Sequence, residues 1–567
     1  MRRVIALLPF VVAAACARIP EEPPRVLPPP PPPPPVEVQI LAINDFHGNL
    51  EPPGVSIEAV SADGQTVKVS AGGVAHLAAE ARTLRKGHPF TITVSAGDLI
   101  GAAPLISSLY LDEPTVAAMN LVGIEYNAVG NHEFDKGSAE LTRIQTGGCA
   151  KFTMRTPCAL EPFKGATFGF LAANVVRPGG TTLFPGTAIK DFGPVQVAFI
   201  GMTLKETATL VTPAGVAGLT FADEAATANS AIPALKAAGA DAIVLLIHQG
   251  GRSSGGYNDK SCPDFDGDIV PILDRLDPAI DLVVSGHTHN AYICERPRAG
   301  AKPLLLTSAG KYGTLISDIR LTVDPAGSGV IAHRADNVIV RTDGPADAAV
   351  GAIVARYASA AKTQTERVVG RLSAPLNREP TASREISGGD FIADAQLAAT
   401  RDRGAQMAFS NSGGVRTDIN PGPGGSVTYG QIAAMQPFGN VLMMKTLTGA
   451  QLKALLEQQF DSGTNTVERP NMLLPSKGFF FAYDLSKPAG SRIVEMKLDG
   501  KAIDPAGPYR VTVVNFLATG GDNFTVLKEG ADTVDTGIVD VDATEAYLKA
   551  DGDAPVLGRI ADRTPKR

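Results

Sequence analysis

No run of lysine and arginine in this sequence could neutralise several neighbouring phosphates of a polymer, and the formal net charge is −7. A nucleic-acid lattice is therefore a poor partner. Charged residues make up only 19% of the chain against 44% hydrophobic ones, the reverse of a disordered composition. The 5 cysteines include no CxxC unit, which argues against a zinc knot. No fixed-period repeat is visible, so a solenoid or propeller is not expected. The apolar run at residues 4–15 is too short to span a bilayer. At 567 residues the chain exceeds one ordinary core, and two or more domains are expected.

The N-terminus points to a compartment. Met1-Arg2-Arg3 before that apolar run has the charged start and small-residue exit of a secretory signal. Ala13-Ala14-Ala15-Cys16 is similar to a bacterial lipoprotein box, which implies export to the periplasm or cell surface and a lipid anchor on Cys16. Cleavage after an Ala-x-Ala site, with Cys16 incidental, is the competing reading. The signal would occupy residues 1–16 and a proline-rich linker residues 17–35, ending in unbroken proline from 28 to 35. Such a run favours a stiff polyproline II spacer of about 25 Å, at roughly 3.1 Å per residue. An SH3-type ligand is the alternative. Cys149, Cys158, Cys262 and Cys294 then remain, an even set that suggests disulfides outside the cytosol. Of the three pairings, Cys149–Cys158 with Cys262–Cys294 is favoured, and four buried thiols is the plain alternative.

From residue 36 onward short apolar, β-branched runs alternate with helical stretches. The runs at 36–43, 91–95, 196–201, 242–247 and 282–285 predict buried strands, and 73–85 and 223–238 predict helices, the latter closed by Gly239. A turn at Asp343-Gly344-Pro345 starts a long alanine-rich helix to about residue 367, polar enough to bridge rather than be engulfed. The expected division is a catalytic domain at 36–343, a linker helix at 344–366 and a smaller α/β domain at 367–560. The latter includes a helix at 449–460 capped by Thr448.

Polar clusters begin where the strands of the first domain stop. The first runs into Asn44-Asp45-Phe46-His47-Gly48, the second into Gly97-Asp98, and a third, at 126–129, into Gly130-Asn131-His132-Glu133. Further strands deliver His248 and Gly286-His287-Thr288-His289. In an open α/β sheet the carboxyl ends of the strands share one rim, so these residues can converge. The neighbouring glycines suit loops that leave a strand sharply. Taken singly, each cluster reads as an ordinary turn or cap. Together, carboxylates, imidazoles and a carboxamide suit a pair of borderline divalent ions such as Zn, Mn, Fe or Co. Such a pair also reverses the local field, so an anionic substrate is compatible with an acidic chain.

Asp-x-His, Gly-Asp, Gly-Asn-His-Glu, a lone strand-end His and Gly-His-x-His, in this order, resemble the calcineurin-like metallophosphoesterases, and the wider chain resembles their 5'-nucleotidase branch. The resemblance implies a four-layer αββα catalytic domain with a C-terminal α/β substrate domain. It implies two divalent metal ions, with Asp45, His47 and His289 on one, Asn131, His248 and His287 on the other, and Asp98 bridging both. It further implies attack of a metal-held hydroxide on a nucleotide monoester, with His132 and Asp135 as the catalytic dyad. Otherwise Asp135 merely caps the next helix.

In the second domain the residues Asn411 and Arg416 stand on a glycine turn as a phosphate or ribose grip. The resemblance makes Phe438 and Phe516 a sandwich for the base and places Asp522 on the sugar. Arg378 and Arg384 do not fall cleanly in the family's register for further substrate arginines, which leaves open which of them, if either, contacts substrate. A cyclic-nucleotide phosphodiesterase, 3'-nucleotidase or nucleotide-sugar hydrolase would keep every metal ligand and differ around Arg416, Phe438 and Phe516. A surface-displayed binding protein with a dead site would have lost Asp98 or a histidine, and neither is lost. The glycine-rich segment 250–256 lacks the Lys-Ser/Thr ending of a phosphate loop and reads as a surface loop that Cys262 helps to pin.

Overall fold

The computed structural model describes residues 33–60, 64–153 and 155–565, so the signal and most of the proline-rich segment lie outside the described residues. The apolar runs form the middles of two six-stranded sheets. In the first, Val36–Ile43, Thr91–Ser95, Tyr126–Ala128 and Gly169–Leu171 lie parallel, and Leu315–Asp324 with Gly329–Ile339 close one edge antiparallel. In the second, Gln196–Thr203, Ala242–His248, Leu282–Ser285 and Ala301–Ala309 are parallel. Thr187–Asp191 and Ala291–Arg298 pair antiparallel at its edges.

The two sheets face each other through Ile40, Val94, Phe199, Val244 and Val284. Val74–Leu84 and Glu113–Val122 cover the outer face of the first sheet through Leu77 and Met119. Glu224–Ala237 covers the second through Ile232. The result is four layers, helix–sheet–sheet–helix. Strands buried on both faces must be apolar at nearly every position, which is why periodicity exposed them. Asp223 caps the helix Glu224–Ala237 by accepting from the Ala226 N–H, and Gly239 follows it at φ 93°.

The C-terminal region is a smaller α/β unit. Met407–Asn411, Val441–Thr448, Leu473–Pro475, Pro508–Val514 and Ala531–Val539 make a five-stranded sheet over a core containing Phe409, Leu473 and Val513. The expected helix is Gly449–Glu457, closed by a reciprocal Thr448–Gln451 capping box.

The helix between the two regions is Ala348–Thr365. It does not stand free. Val350, Tyr357 and Ala361 are buried in the core of the first region, and the Tyr357 ring packs edge-on to Tyr110 at 4.9 Å. Ile353, Val354 and Ala358 pack against the same core, so the covered stripe follows the helical period. Both favoured disulfides are formed, Cys149–Cys158 and Cys262–Cys294, and the second anchors the loop that carries segment 250–256. Among the described residues no helix is long and apolar enough to cross a membrane.

Candidate active site

The strand-end residues converge on the rim between the two sheets. Asp45 and His47 follow the first strand, and Asp98 follows its parallel neighbour, held there by the Asp45 N–H to Gly97 C=O and His47 N–H to Asp98 C=O bonds. His248 ends a strand of the second sheet, and His287 and His289 follow the adjoining one. His289 Nε2 lies 3.1 Å from His47 Nε2 and 3.3 Å from an Asp45 oxygen. Asp98 Oδ2 lies 3.0 Å from His248 Nε2 and 3.6 Å from His47 Nε2. Asn131 Oδ1 is 3.1 Å from His287 Nδ1. Donor atoms of Asp45, His47 and His289 form one compact group and those of Asp45, Asp98 and His248 another, so Asp45 is common to both, while Asp98 approaches the first group only through His47, at 3.6 Å.

The backbone is strained at these positions. Asp45, His47, Asp98, His287 and His289 all have positive φ, between 48° and 70°. Each such conformation costs of order 1–3 kcal/mol in a non-glycine residue, and clustering of this strain marks a functional site. The adjoining glycines serve both freedom and space: Gly48 and Gly97 have φ 58° and 94°, while Gly130 is needed for room alone. A Cβ on Gly130 would sit 2.2 Å from Asp98 Oδ1, yet the φ of Gly130 is not positive.

Proton bookkeeping shows what the rim fits. His248 Nδ1 donates to the Ala96 carbonyl at 2.8 Å, and His47 Nδ1 to the Gly101 carbonyl at 2.9 Å. Their Nε2 atoms are therefore the ones turned into the rim, His47 Nε2 lying 3.1 Å from His289 Nε2 and His248 Nε2 3.0 Å from Asp98 Oδ2. Backbone-anchored imidazoles opposing buried carboxylates are the arrangement of metal ligands, because a cation between them turns repulsion into coordination. The electrostatics agree. Burial disfavours the Asp45 carboxylate, but His289 and His248 outweigh it and hold Asp45 down to about 2. Burial likewise opposes charge on His248, yet Asp98 and Asp45 push it up to about 10. His287 falls to about 3 through burial and the neighbouring His248. Carboxylates held ionised and imidazoles held neutral, His248 apart, are the forms that bind a divalent ion.

His132 lies beside this rim, and its Nδ1 is 3.0 Å from both Asp135 oxygens. Burial opposes its cation, but Asp135 and Asp98 raise His132 above its ordinary value. Asp135 does not cap the following helix, which begins after Gly137 without a side-chain cap; its second bond is from the Ala102 N–H.

Sequence reasoning passed over Glu133. Its buried carboxylate accepts from the N–H groups of Asp98, Leu99 and Gly130, and so holds the Asp98 loop against the Asn131 loop. Its place inside the Gly-Asn-His-Glu cluster was the available signal.

A cleft of about 260 Å³ opens between the two regions beside the rim. Asn131, His132 and His287 border it from one side, and Asn411, Arg416, Phe438, Phe516 and Asp522 from the other. Asn411 donates to Asp522 at 2.6 Å, and Asp522 itself has φ 53°. Phe438 stacks on His132 at 5.8 Å across the domain boundary, with the Arg416 guanidinium 5.7 Å from its ring centre. Gly521 is obligatory, since a Cβ there would meet the Phe516 ring at 2.4 Å. Leu210, Val211 and Thr212 also border the cleft, and nothing in their surface-loop composition announced it. Arg384 lies beside Tyr483, and Arg378 borders a different cavity.

Comparison with known proteins accords with this geometry. Residues 38–291 match the calcineurin-like phosphoesterase family and residues 368–529 the 5'-nucleotidase C-terminal domain. An endonuclease of Bacillus subtilis (strain 168) is 30% identical over 91% of this chain, which spans 40% of that protein's length. The human 5'-nucleotidase is 26% identical, with 90% of this chain and 88% of that protein aligned. The crystal structure of a 5'-nucleotidase precursor from Thermus thermophilus superposes with a TM-score of 0.75 at 29% identity, covering 93% of this chain and 100% of that one. The fold and its rim thus define a metal-dependent phosphoester hydrolase. The chain belongs to the calcineurin-like phosphoesterases, in the branch that carries the 5'-nucleotidase C-terminal domain.

Proposed function

We propose that this enzyme removes phosphate from nucleotides, as a 5'-nucleotidase, with two divalent metal ions. One observation carries the reading: Asn131, His132 and His287 of the rim border the same cleft as Phe438 and Phe516. A cavity of this size with paired aromatic rings suits one nucleoside beside the metal site. In this reading Asp45, His47 and His289 hold one ion and Asn131, His248 and His287 the other, with Asp98 reaching both. Bound there, the ions supply Lewis acidity toward the phosphoryl oxygens. Arg416 and Asn411 orient the phosphate and ribose, and Asp522, fixed by Asn411, receives the sugar hydroxyls. Asp135 keeps the His132 Nδ1 proton in place and leaves Nε2 for the substrate, to stabilise charge on the phosphoryl group or to protonate the leaving oxygen.

Metal-loaded protein incubated with AMP, 3'-AMP, 2',3'-cyclic AMP and UDP-glucose tests this. AMP is expected to release adenosine and phosphate fastest; turnover of none of the four sinks the proposal. Within the dyad, Asp135→Asn is expected to lower kcat for AMP about 100-fold with little change in KM, as general acid–base contributions do. An unchanged kcat removes Asp135 from the mechanism.

The same reading puts the protein outside the cytosol, supported by its N-terminal pattern and two disulfides. Lipidation at Cys16 makes Cys16→Ser move the protein from the membrane fraction to the soluble one. A wild-type protein already soluble after export contradicts the anchor.

A further inference from the structure

The glycine-rich segment 250–256 begins a long loop directly behind His248. The loop runs from the strand Ala242–His248 to the short helix Val270–Leu273, and its two arms pair once, at Arg252 and Asp266. Backbone without regular structure is costly to hold still, and here it starts at a proposed metal ligand. One face of the strand Ala291–Arg298 fastens it. Tyr292 and Cys294 stand two apart on that strand, so their side chains project to the same face. Cys294 is bonded to Cys262 of the loop, and the Tyr292 ring meets Phe265 of the loop edge-on at 5.1 Å.

The Tyr292 hydroxyl reaches further in, toward the rim. Tyr292 is 1% exposed; its oxygen accepts from the Gly251 N–H at 3.1 Å and lies 2.7 Å from Ser285 Oγ. The single hydroxyl proton of Ser285 goes to the Thr307 carbonyl at 2.8 Å, so the tyrosine donates to the serine. The chain of donors thus runs one way, from Gly251 N–H through Tyr292 and Ser285 to the Thr307 carbonyl. Gly251 is held at its other end as well, its carbonyl accepting from Thr288 Oγ1 at 2.7 Å. Packing here leaves no slack: a Cβ on Gly250 would lie 2.2 Å from the Gly286 carbonyl oxygen, and one on Gly251 2.5 Å from the Phe265 ring. Gly251 follows His248 by three residues, Ser285 precedes His287 by two, and Thr288 stands between His287 and His289. One buried hydroxyl therefore spans the two chain segments that carry His248 and His287.

We propose that Tyr292 is a positioning residue for the second metal ion: its hydroxyl fixes the loop after His248 against the turn that delivers His287, at the spacing one cation requires. This rests on the two-ion reading and deepens it. Tyr292 touches neither ion nor substrate and acts through Gly251 and Ser285. Groups that orient ligands from behind set metal affinity, and a hydroxyl chain with every donor used in one direction is stiffer than its separate bonds.

The test is Tyr292→Phe, which removes the hydroxyl and keeps the ring against Phe265. Manganese is the probe, titrated by calorimetry into full-length protein freed of metal. One of two manganese sites is expected to weaken about tenfold or more, as loss of a ligand-orienting partner does, while the other stays within roughly threefold. With AMP, kcat is expected to fall at limiting manganese and to recover at saturating manganese, with KM for AMP unchanged. Ser285→Ala breaks the same chain one link on, so it should weaken the same site, and the double variant should lose no more than the single ones. Ser285→Ala also gives the reading where Tyr292→Phe does not fold. Two manganese sites of wild-type affinity in the variants overturn the role of Tyr292 whatever the melting temperature does, since packing alone moves the melting temperature and not the metal. A wild-type protein that binds one ion or none overturns the two-ion reading, and this role with it.

Discussion

Replacing Asp98 by asparagine is expected to lower kcat for AMP at least ~1000-fold, about 4 kcal/mol of lost transition-state stabilisation, while the protein stays folded. Asp98 is 1% exposed, and one carboxylate oxygen approaches both His248 and His47. Its other oxygen accepts from the His132 N–H at 2.9 Å, so Asp98 links the metal rim to the dyad. Asparagine has nearly the same shape and tolerates the left-handed backbone at φ 53°. The substitution therefore removes charge and one ligand atom with little change in packing. Steady-state kinetics beside a circular-dichroism spectrum give the answer. Activity within tenfold of wild type would mean that Asp98 is not shared by the two halves of the site.

Phe516→Ala is expected to raise KM for AMP roughly tenfold or more, since stacking of a base on an aromatic ring is worth about 1–3 kcal/mol. Hydrolysis of p-nitrophenyl phosphate, which has no base, should stay at the wild-type rate. Phe438→Ala should raise KM similarly but also lower kcat, because Phe438 packs against His132 as well as facing the cleft. The contrast between the two variants is the informative readout. Equal loss of activity toward both esters in Phe516→Ala would assign that ring to packing alone.

The rim was legible in the sequence because its strands are buried on both faces. Runs such as Val36–Ile43 and Leu282–Ser285 are apolar throughout, and the chain turns polar where each strand emerges. Parallel strands put those exits on one side, so Asp45, Asp98, Asn131, His248 and His287 could be gathered without coordinates. What escaped detection depends on tertiary contact. The antiparallel edge strands, such as Gly329–Ile339 with its half-exposed pattern, carry no uniform apolar signal. The helix Ala348–Thr365 looked polar, and only Tyr110 opposite Tyr357 reveals which stripe is buried. Glu133 works through three backbone N–H groups contributed by two loops, a role with no sequence period at all. Arg378 and Lys311 border one cavity from the two sides of the domain boundary, a proximity with no sequence pattern.

The central claim is that side chains from separate loops hold two cations at one rim. A crystal of the manganese-loaded enzyme, with anomalous differences collected at the manganese edge, tests it most directly. Two peaks are predicted, one within coordination distance of Asp45, His47 and His289 and one within reach of Asn131, His248 and His287, with Asp98 touching both. No peak at the rim, or one that leaves Asp98 and His248 uncoordinated, would contradict the account.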